Sequence, residues 1–148
     1  QSLAHLVYAN WVMNKIGDKI IHFQNAQPWL HFYIAHIANL LGQPLSPADS
    51  ERMQRALKYC RNEGFGGGYG QLDHLAPTYA GFLAILELGP SAYHVIDRAG
   101  LYSLLKKLKK GGRFMMHEEG ECDLRASFIA ALLVKSLRLP EDVLSEVA

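Results

Sequence analysis

The chain has 148 residues, 49% apolar and 20% charged, with Lys plus Arg at 15 against Asp plus Glu at 14. That length and balance suit one folded domain with a real core and exclude the disordered class. A net charge of +1 supplies no electrostatic excess toward nucleic acid or an anionic membrane, so partners have to be argued from local features.

Two cysteines, Cys60 and Cys122, are too few for a disulfide framework and favour a reducing cytoplasm. The N-terminus carries neither a signal-peptide pattern nor an initiator Met, which predicts a chain that begins inside a longer product. No apolar run reaches the roughly 20 residues that would cross a bilayer, so no transmembrane segment is expected.

In chain order, residues 3–20 read as a first helix, weakened toward its end by Gly17. Residues 29–41 are apolar on more than one side, as are 78–88 and 125–139. Helices of that kind belong inside, covered on both flanks or lining a cavity. Ser46, Pro47 and Asp49 supply an N-cap, a first-turn proline and an acid ahead of Met53, Ala56, Leu57 and Cys60 on one face, which predicts an amphipathic helix. Leu101, Leu104, Leu105 and Leu108 follow helical spacing between a start near Asp97 and a stop at Gly111 and Gly112. Pro140, Glu141 and Asp142 open one more helix, and the alternation expected of β-strands is missing.

The chain repeats itself. Leu41-Gly42 falls on Leu88-Gly89 at a shift of 47, Phe65 on Phe114 at 49, and Gly70 and Asp73 on Gly120 and Asp123 at 50. One amphipathic and one buried helix per period of about 48 residues describes stacked helical hairpins, buried helices on an inner ring and amphipathic ones outside. The predicted fold class is therefore all-α, an α-α toroid (α/α barrel). Residues 1–148 make about three repeats of a single, incomplete barrel, whose open edge leaves apolar faces uncovered and favours association.

The Gly-rich stretch from Gly64 to Gly70 lacks the Gly-Lys-Ser/Thr ending and the preceding strand of a phosphate loop, so it reads as a turn between outer and inner helices. Lys106, Lys107, Lys109 and Lys110 read as cations in a helix's last turn rather than a diphosphate or membrane patch. None of seven histidines forms a His-Glu-x-x-His motif, and His117 beside Glu118 and Glu119 is a weak metal candidate.

Four motifs in order carry a resemblance: Gly64-Phe65-Gly66-Gly67-Gly68, His74-Leu75-Ala76-Pro77-Thr78-Tyr79, Phe114-Met115-Met116-His117 and Glu121-Cys122-Asp123-Leu124-Arg125. With Pro28-Trp29-Leu30 upstream, where Gln27 replaces an Arg, the chain from about residue 25 to 139 resembles the β subunit of protein farnesyltransferase. The resemblance implies a barrel paired with a helical α subunit in the cytoplasm. There, farnesyl passes from farnesyl diphosphate to a Cys near the C-terminus of a protein substrate. It also implies a zinc ion that activates the substrate thiolate. The family's zinc ligands, an Asp-x-Cys pair and a later His, match nothing in this sequence, so neither catalytic nor metal-ligating residues are expected here.

By the same resemblance, Trp29 borders both the isoprenoid and the peptide end, while Phe32, Tyr33 and Phe128 belong to the isoprenoid wall. The family's usual rings at these last three positions are Tyr, Trp and Tyr. A tail of about fifteen carbons at ~0.8 kcal/mol per CH₂ offers roughly 10 kcal/mol of transfer free energy to such a wall before ordering costs. Trp29 favours the shorter farnesyl over geranylgeranyl. His74, Ala76 and Pro77 border the pocket for the peptide's last residue, and His74, Glu121 and Arg125 hold a water near its carboxylate. Read from residues alone, core packing is the favoured account of the aromatics, and Glu121 and Arg125, four apart and so expected on one helical face, favour a structural pair of Arg125 with Glu121 or Asp123. Rival readings are a type I geranylgeranyltransferase β subunit and a noncatalytic repeat module that binds partners on its concave face.

Overall fold

The structure is a computed structural model that describes residues 26–147; the helix expected over 3–20 lies outside them. Five α-helices follow in order: α1 Gln27–Leu40, α2 Pro47–Tyr59, α3 Leu75–Leu88, α4 Arg98–Leu108 and α5 Leu124–Leu137, with 3-10 turns at Pro90–Val95 and Glu141–Leu144. Their starts follow the expected chemistry. The Ser46 hydroxyl accepts from Asp49 N at 3.1 Å ahead of Pro47, and Asp97 accepts from Gly100 N at 2.9 Å.

The chain departs from a purely helical pattern between α4 and α5. β1 Lys109–Lys110 and β2 Arg113–Phe114 pair antiparallel, Lys109 opposite Phe114, around Gly111 and Gly112. Both glycines sit at positive φ, 51° and 70°, the backbone that a two-residue hairpin turn requires. Helix α4 therefore ends at Leu108. Of the four lysines read as last-turn cations, only Lys106 and Lys107 are in that turn, while Lys109 and Lys110 stand in the ribbon. The helix expected after Pro140 shrinks to the 3-10 turn.

Helices α1, α3 and α5 begin 48 and 49 residues apart and pack side by side in that order, with α2 against α1 and α3, and α4 against α5. Leu101, Leu104, Leu105 and Leu108 of α4 share one apolar cluster with Leu75 and Phe82 of α3 and with Ile129, Ala130, Leu133 and Val134 of α5. Each of those leucines contributes on the order of 1.5–3 kcal/mol by leaving water, which is what fixes the outer helix in the crease between two inner ones. Gly81, in the middle of α3, is required by close approach: a Cβ there would meet the Phe65 ring at 3.0 Å.

A backbone stitch repeats with the period. The first helical N–H of α1, on Gln27, donates to Gly67 O at 2.9 Å, and that of α3, on Leu75, donates to Met116 O at 2.7 Å. First-turn N–H groups have no partner inside their own helix, so α1 and α3 are each pinned by the loop of the following hairpin. The loop itself is a packed turn. Where Gly66 lacks a side chain, the Gln71 carbonyl oxygen would stand 2.7 Å from a Cβ, and Thr78 Oγ1 accepts from Phe65 N at 2.9 Å.

Candidate lipid wall and polar rim

Helices α1, α3 and α5 contribute rings to one continuous aromatic run. Trp29 stacks on Tyr33 at 5.9 Å between centroids and meets Phe32 edge-on at 6.4 Å. Across the junction to α3 it meets Tyr79 edge-on at 6.1 Å, and Tyr79 meets Phe128 of α5 edge-on at 6.4 Å. Edge-to-face and offset pairs at these separations are the arrangements the ring quadrupole favours. The run is not core. Tyr33 is 51% and Phe128 57% exposed, and Leu124, one turn before Phe128, is 81% exposed. Phe32 divides its contacts, since it also packs against the cluster of Leu57, Phe65 and Ile85 and stacks on His36 at 5.3 Å. Tyr79, not singled out from the sequence, is the link between Trp29 and Phe128. Its spacing of 50 residues from Trp29 and 49 to Phe128 was the available signal.

Beside this wall, at the N-terminal ends of α3 and α5, polar groups converge. His74 is the N-cap of α3: its Nδ1 accepts from Ala76 N at 3.0 Å, which leaves Nε2 as the carrier of the proton in the neutral ring. Burial, then the neighbouring His117 ring at 5.3 Å, holds His74 below the ordinary histidine value, so it stays a neutral donor. The capping bond acts the same way, because a protonated Nδ1 could not accept it. Ala76 and Pro77 follow in the first turn of α3, both half-buried, where Pro77 needs no N–H.

Arg125 lies in the first turn of α5 and pairs with Asp123, its Nε donating to Oδ2 at 2.9 Å and its Nη2 to the same oxygen. Asp123 Oδ1 accepts from Ala126 N at 3.0 Å, so one carboxylate caps α5 and aims the guanidinium. The Arg125 guanidinium holds the Asp123 carboxyl below the usual range. Glu121 stands before the helix rather than one turn along it, so the spacing of four does not put Glu121 and Arg125 on a common helical face. Its Oε2 instead lies 4.0 Å from His117 Nε2. The structure thus gathers His74, His117, Glu121, Asp123 and Arg125 at one rim and offers a neutral N–H, a cation and an anion.

His31 and Cys60 serve packing. His31 is buried, its Nδ1 donates to Gln27 O at 2.6 Å, and burial lowers its pKa. Burial pushes the Cys60 thiol up to about 11, and its Sγ donates to Gln27 Oε1 at 3.2 Å. Among the described residues no three His, Cys, Asp or Glu side chains stand together as a metal site, so these residues do not fit a zinc ion. Among them, too, no helix is long and apolar enough to cross a membrane.

The sequence of residues 1–147 matches the family described as "Prenyltransferase alpha-alpha toroid domain". The chain is 35% identical over 122 residues to the protein farnesyltransferase subunit beta of Pisum sativum, covering 80% of this chain and 29% of that protein. It is 33% identical over 141 residues to the Arabidopsis thaliana subunit, covering 90% and 29%. Against the Schizosaccharomyces pombe subunit it is 33% identical over 140 residues, covering 90% and 35%. It spans about three tenths of the length of these relatives. Matched along nearly its whole length, and built of hairpins repeating at the spacing its sequence displays, the chain belongs to the prenyltransferase alpha-alpha toroid family.

Proposed function

We propose that this chain supplies part of the β subunit of a cytoplasmic protein farnesyltransferase, paired with an α subunit. The enzyme it belongs to transfers farnesyl from farnesyl diphosphate to a Cys near the C-terminus of a protein substrate. The observation that carries this reading is the half-exposed aromatic run from Tyr33 through Trp29 and Tyr79 to Phe128, set beside a charged rim. Aromatic faces left open to solvent across three helices are a surface for an apolar chain, and the rim offers partners for a carboxylate.

The residues divide the work. Trp29, Tyr79 and Phe128, with Tyr33 and part of Phe32, remove the farnesyl tail from water and limit its length. His74 through Nε2–H and Arg125 through its guanidinium bind the peptide's terminal carboxylate, directly or by a water, with Glu121 as the acceptor that completes that water's bonds. Ala76 and Pro77 leave room for the last peptide side chain. Thiolate activation by zinc belongs to residues other than these, and no step here is assigned to it.

The test is farnesyl transfer by the full-length subunit with its α partner. Trp29→Ala should lower kcat/KM for farnesyl diphosphate at least tenfold and narrow the preference over geranylgeranyl diphosphate. Arg125→Gln should raise KM for a peptide ending in a free carboxylate and leave KM for the diphosphate unchanged. Unchanged lipid kinetics in Trp29→Ala, or no transfer by the intact heterodimer, would refute the reading.

A further inference from the structure

Each of the three inner helices is followed by a residue at positive φ, and the residue differs. After α1 the chain turns through Gly42 at φ 66°, after α3 through Gly89 at φ 83°, and after α5 through Arg138 at φ 49°. Left-handed backbone suits glycine, and an arginine there is disfavoured by its own Cβ. The third terminator therefore carries a long cationic side chain where the repeat otherwise uses none, and local conformation does not explain the choice.

Arg138 borders a cleft of about 410 Å³ between the C-terminal ends of α3 and α5 and the start of α4. Its walls are mostly apolar, Phe82 and Leu86 of α3, Tyr93 and Ile96 beyond it, and Leu137, with the polar Ser136 beside Leu137. Arg98 shares the rim and donates from Nη2 to Arg138 O at 2.9 Å, which ties the two guanidinium-bearing backbones together. Neither guanidinium makes an ion pair among the described residues; the nearby Glu141 is taken by Lys135 at 2.7 Å. The cleft lies at the opposite helix ends from His74 and Arg125, away from the aromatic run.

We propose that this cleft docks an acidic segment of a partner protein. The segment inserts one large apolar side chain between Phe82, Leu86, Tyr93 and Leu137, and its flanking carboxylates meet Arg98 and Arg138. Two cations flank an apolar slot of side-chain size, one of them at a position whose backbone favours glycine, and that pairing is complementary to an apolar side chain set between carboxylates. The site does not rest on the farnesyl reading, since it shares no residue with the wall or the rim.

The discriminating variant is Arg138→Gly, which restores the terminator used by the other two repeats and should leave the thermal midpoint unchanged or higher. The probe is a fluorescein-labelled peptide with one Phe flanked by two Asp and two Glu, titrated by anisotropy into the full-length chain. The same peptide with Lys at the four acidic positions is the control. The acidic peptide should bind and the lysine peptide should bind at least tenfold more weakly. Arg138→Gly should weaken the acidic peptide at least fivefold, more at low salt than at high. No binding by the acidic peptide, equal binding of both peptides, or unchanged affinity in Arg138→Gly would overturn the proposal. Phosphatidylserine vesicles that bind the chain and displace the peptide would overturn it in favour of a lipid surface.

Discussion

The two junctions between inner helices are built from the same repeat and close differently. Between α1 and α3, Glu87 locks the C-terminal ends: His36 Nδ1 donates to its Oε1 at 2.7 Å, and Asn39 Nδ2 donates to its Oε2 at 2.7 Å and to its backbone oxygen at 2.9 Å. Between α3 and α5 no such bridge is present among the described residues, and the corresponding ends spread around the cleft bordered by Arg98 and Arg138. At the N-terminal ends both junctions are stitched by the same backbone bond, and both carry an aromatic contact, Trp29 to Tyr79 and Tyr79 to Phe128. A helical repeat can thus hold its period by backbone and apolar contacts while side chains at one end decide whether a junction is sealed or open.

The largest effect on that comparison should come from the core beneath the open junction. Leu133→Ala removes a fully buried side chain of α5 and should cost about 2–5 kcal/mol, read as a lower urea midpoint with an unchanged slope. Unsealing the first junction should cost less. Glu87→Ala, at a side chain 24% exposed, should lose about 1 kcal/mol, and Glu87→Gln should lose less because it keeps the acceptor for Asn39.

A pH series sharpens the contrast. His31 is held below its ordinary 6.5 by burial against a hydrogen bond to Gln27, and His74 by burial and then by His117. The folded chain therefore binds fewer protons than the unfolded one, so stability is full above about 6.5 and falls as pH drops through the folded values. For Glu87, burial acts upward, but the hydrogen bonds from Asn39 and His36 outweigh it and leave the carboxyl below 4.5. Its contribution is present above that value and lost beneath it. Denaturant midpoints should accordingly fall in two windows. His74→Asn, which keeps a capping side chain, should shrink the first window and leave the second. The smallest stability effect belongs to the wall: Phe128→Ala should change the midpoint by less than about 0.5 kcal/mol while weakening farnesyl diphosphate binding.

Much of this architecture was legible because it rests on local chemistry. Ser46 and Asp97 cap where short polar side chains precede apolar spacing, and the three greasy segments at near-equal intervals are the three inner helices. What escaped depends on groups distant in sequence or on backbone freedom. His74 caps α3 through a ring nitrogen, a role that a histidine's identity does not announce. The Lys109–Phe114 ribbon follows from two glycines that read equally well as a helix stop. Glu121 fell off the helical face because Asp123, two residues on, claimed the cap. Tyr79 went unmarked because a lone ring in an apolar helix looks like packing until rings on α1 and α5 are placed against it.

The central claim is that rings from successive inner helices form one lipid-binding wall, and photolabelling tests it most directly. The full-length subunit with the proposed α partner would be irradiated with a farnesyl diphosphate analogue carrying a photoreactive terminal isoprene, then digested and mapped by mass spectrometry. The account predicts adducts on Trp29, Tyr79 or Phe128, suppressed by excess farnesyl diphosphate. Protected adducts confined to the outer helices α2 and α4, with none on those three rings, would contradict it.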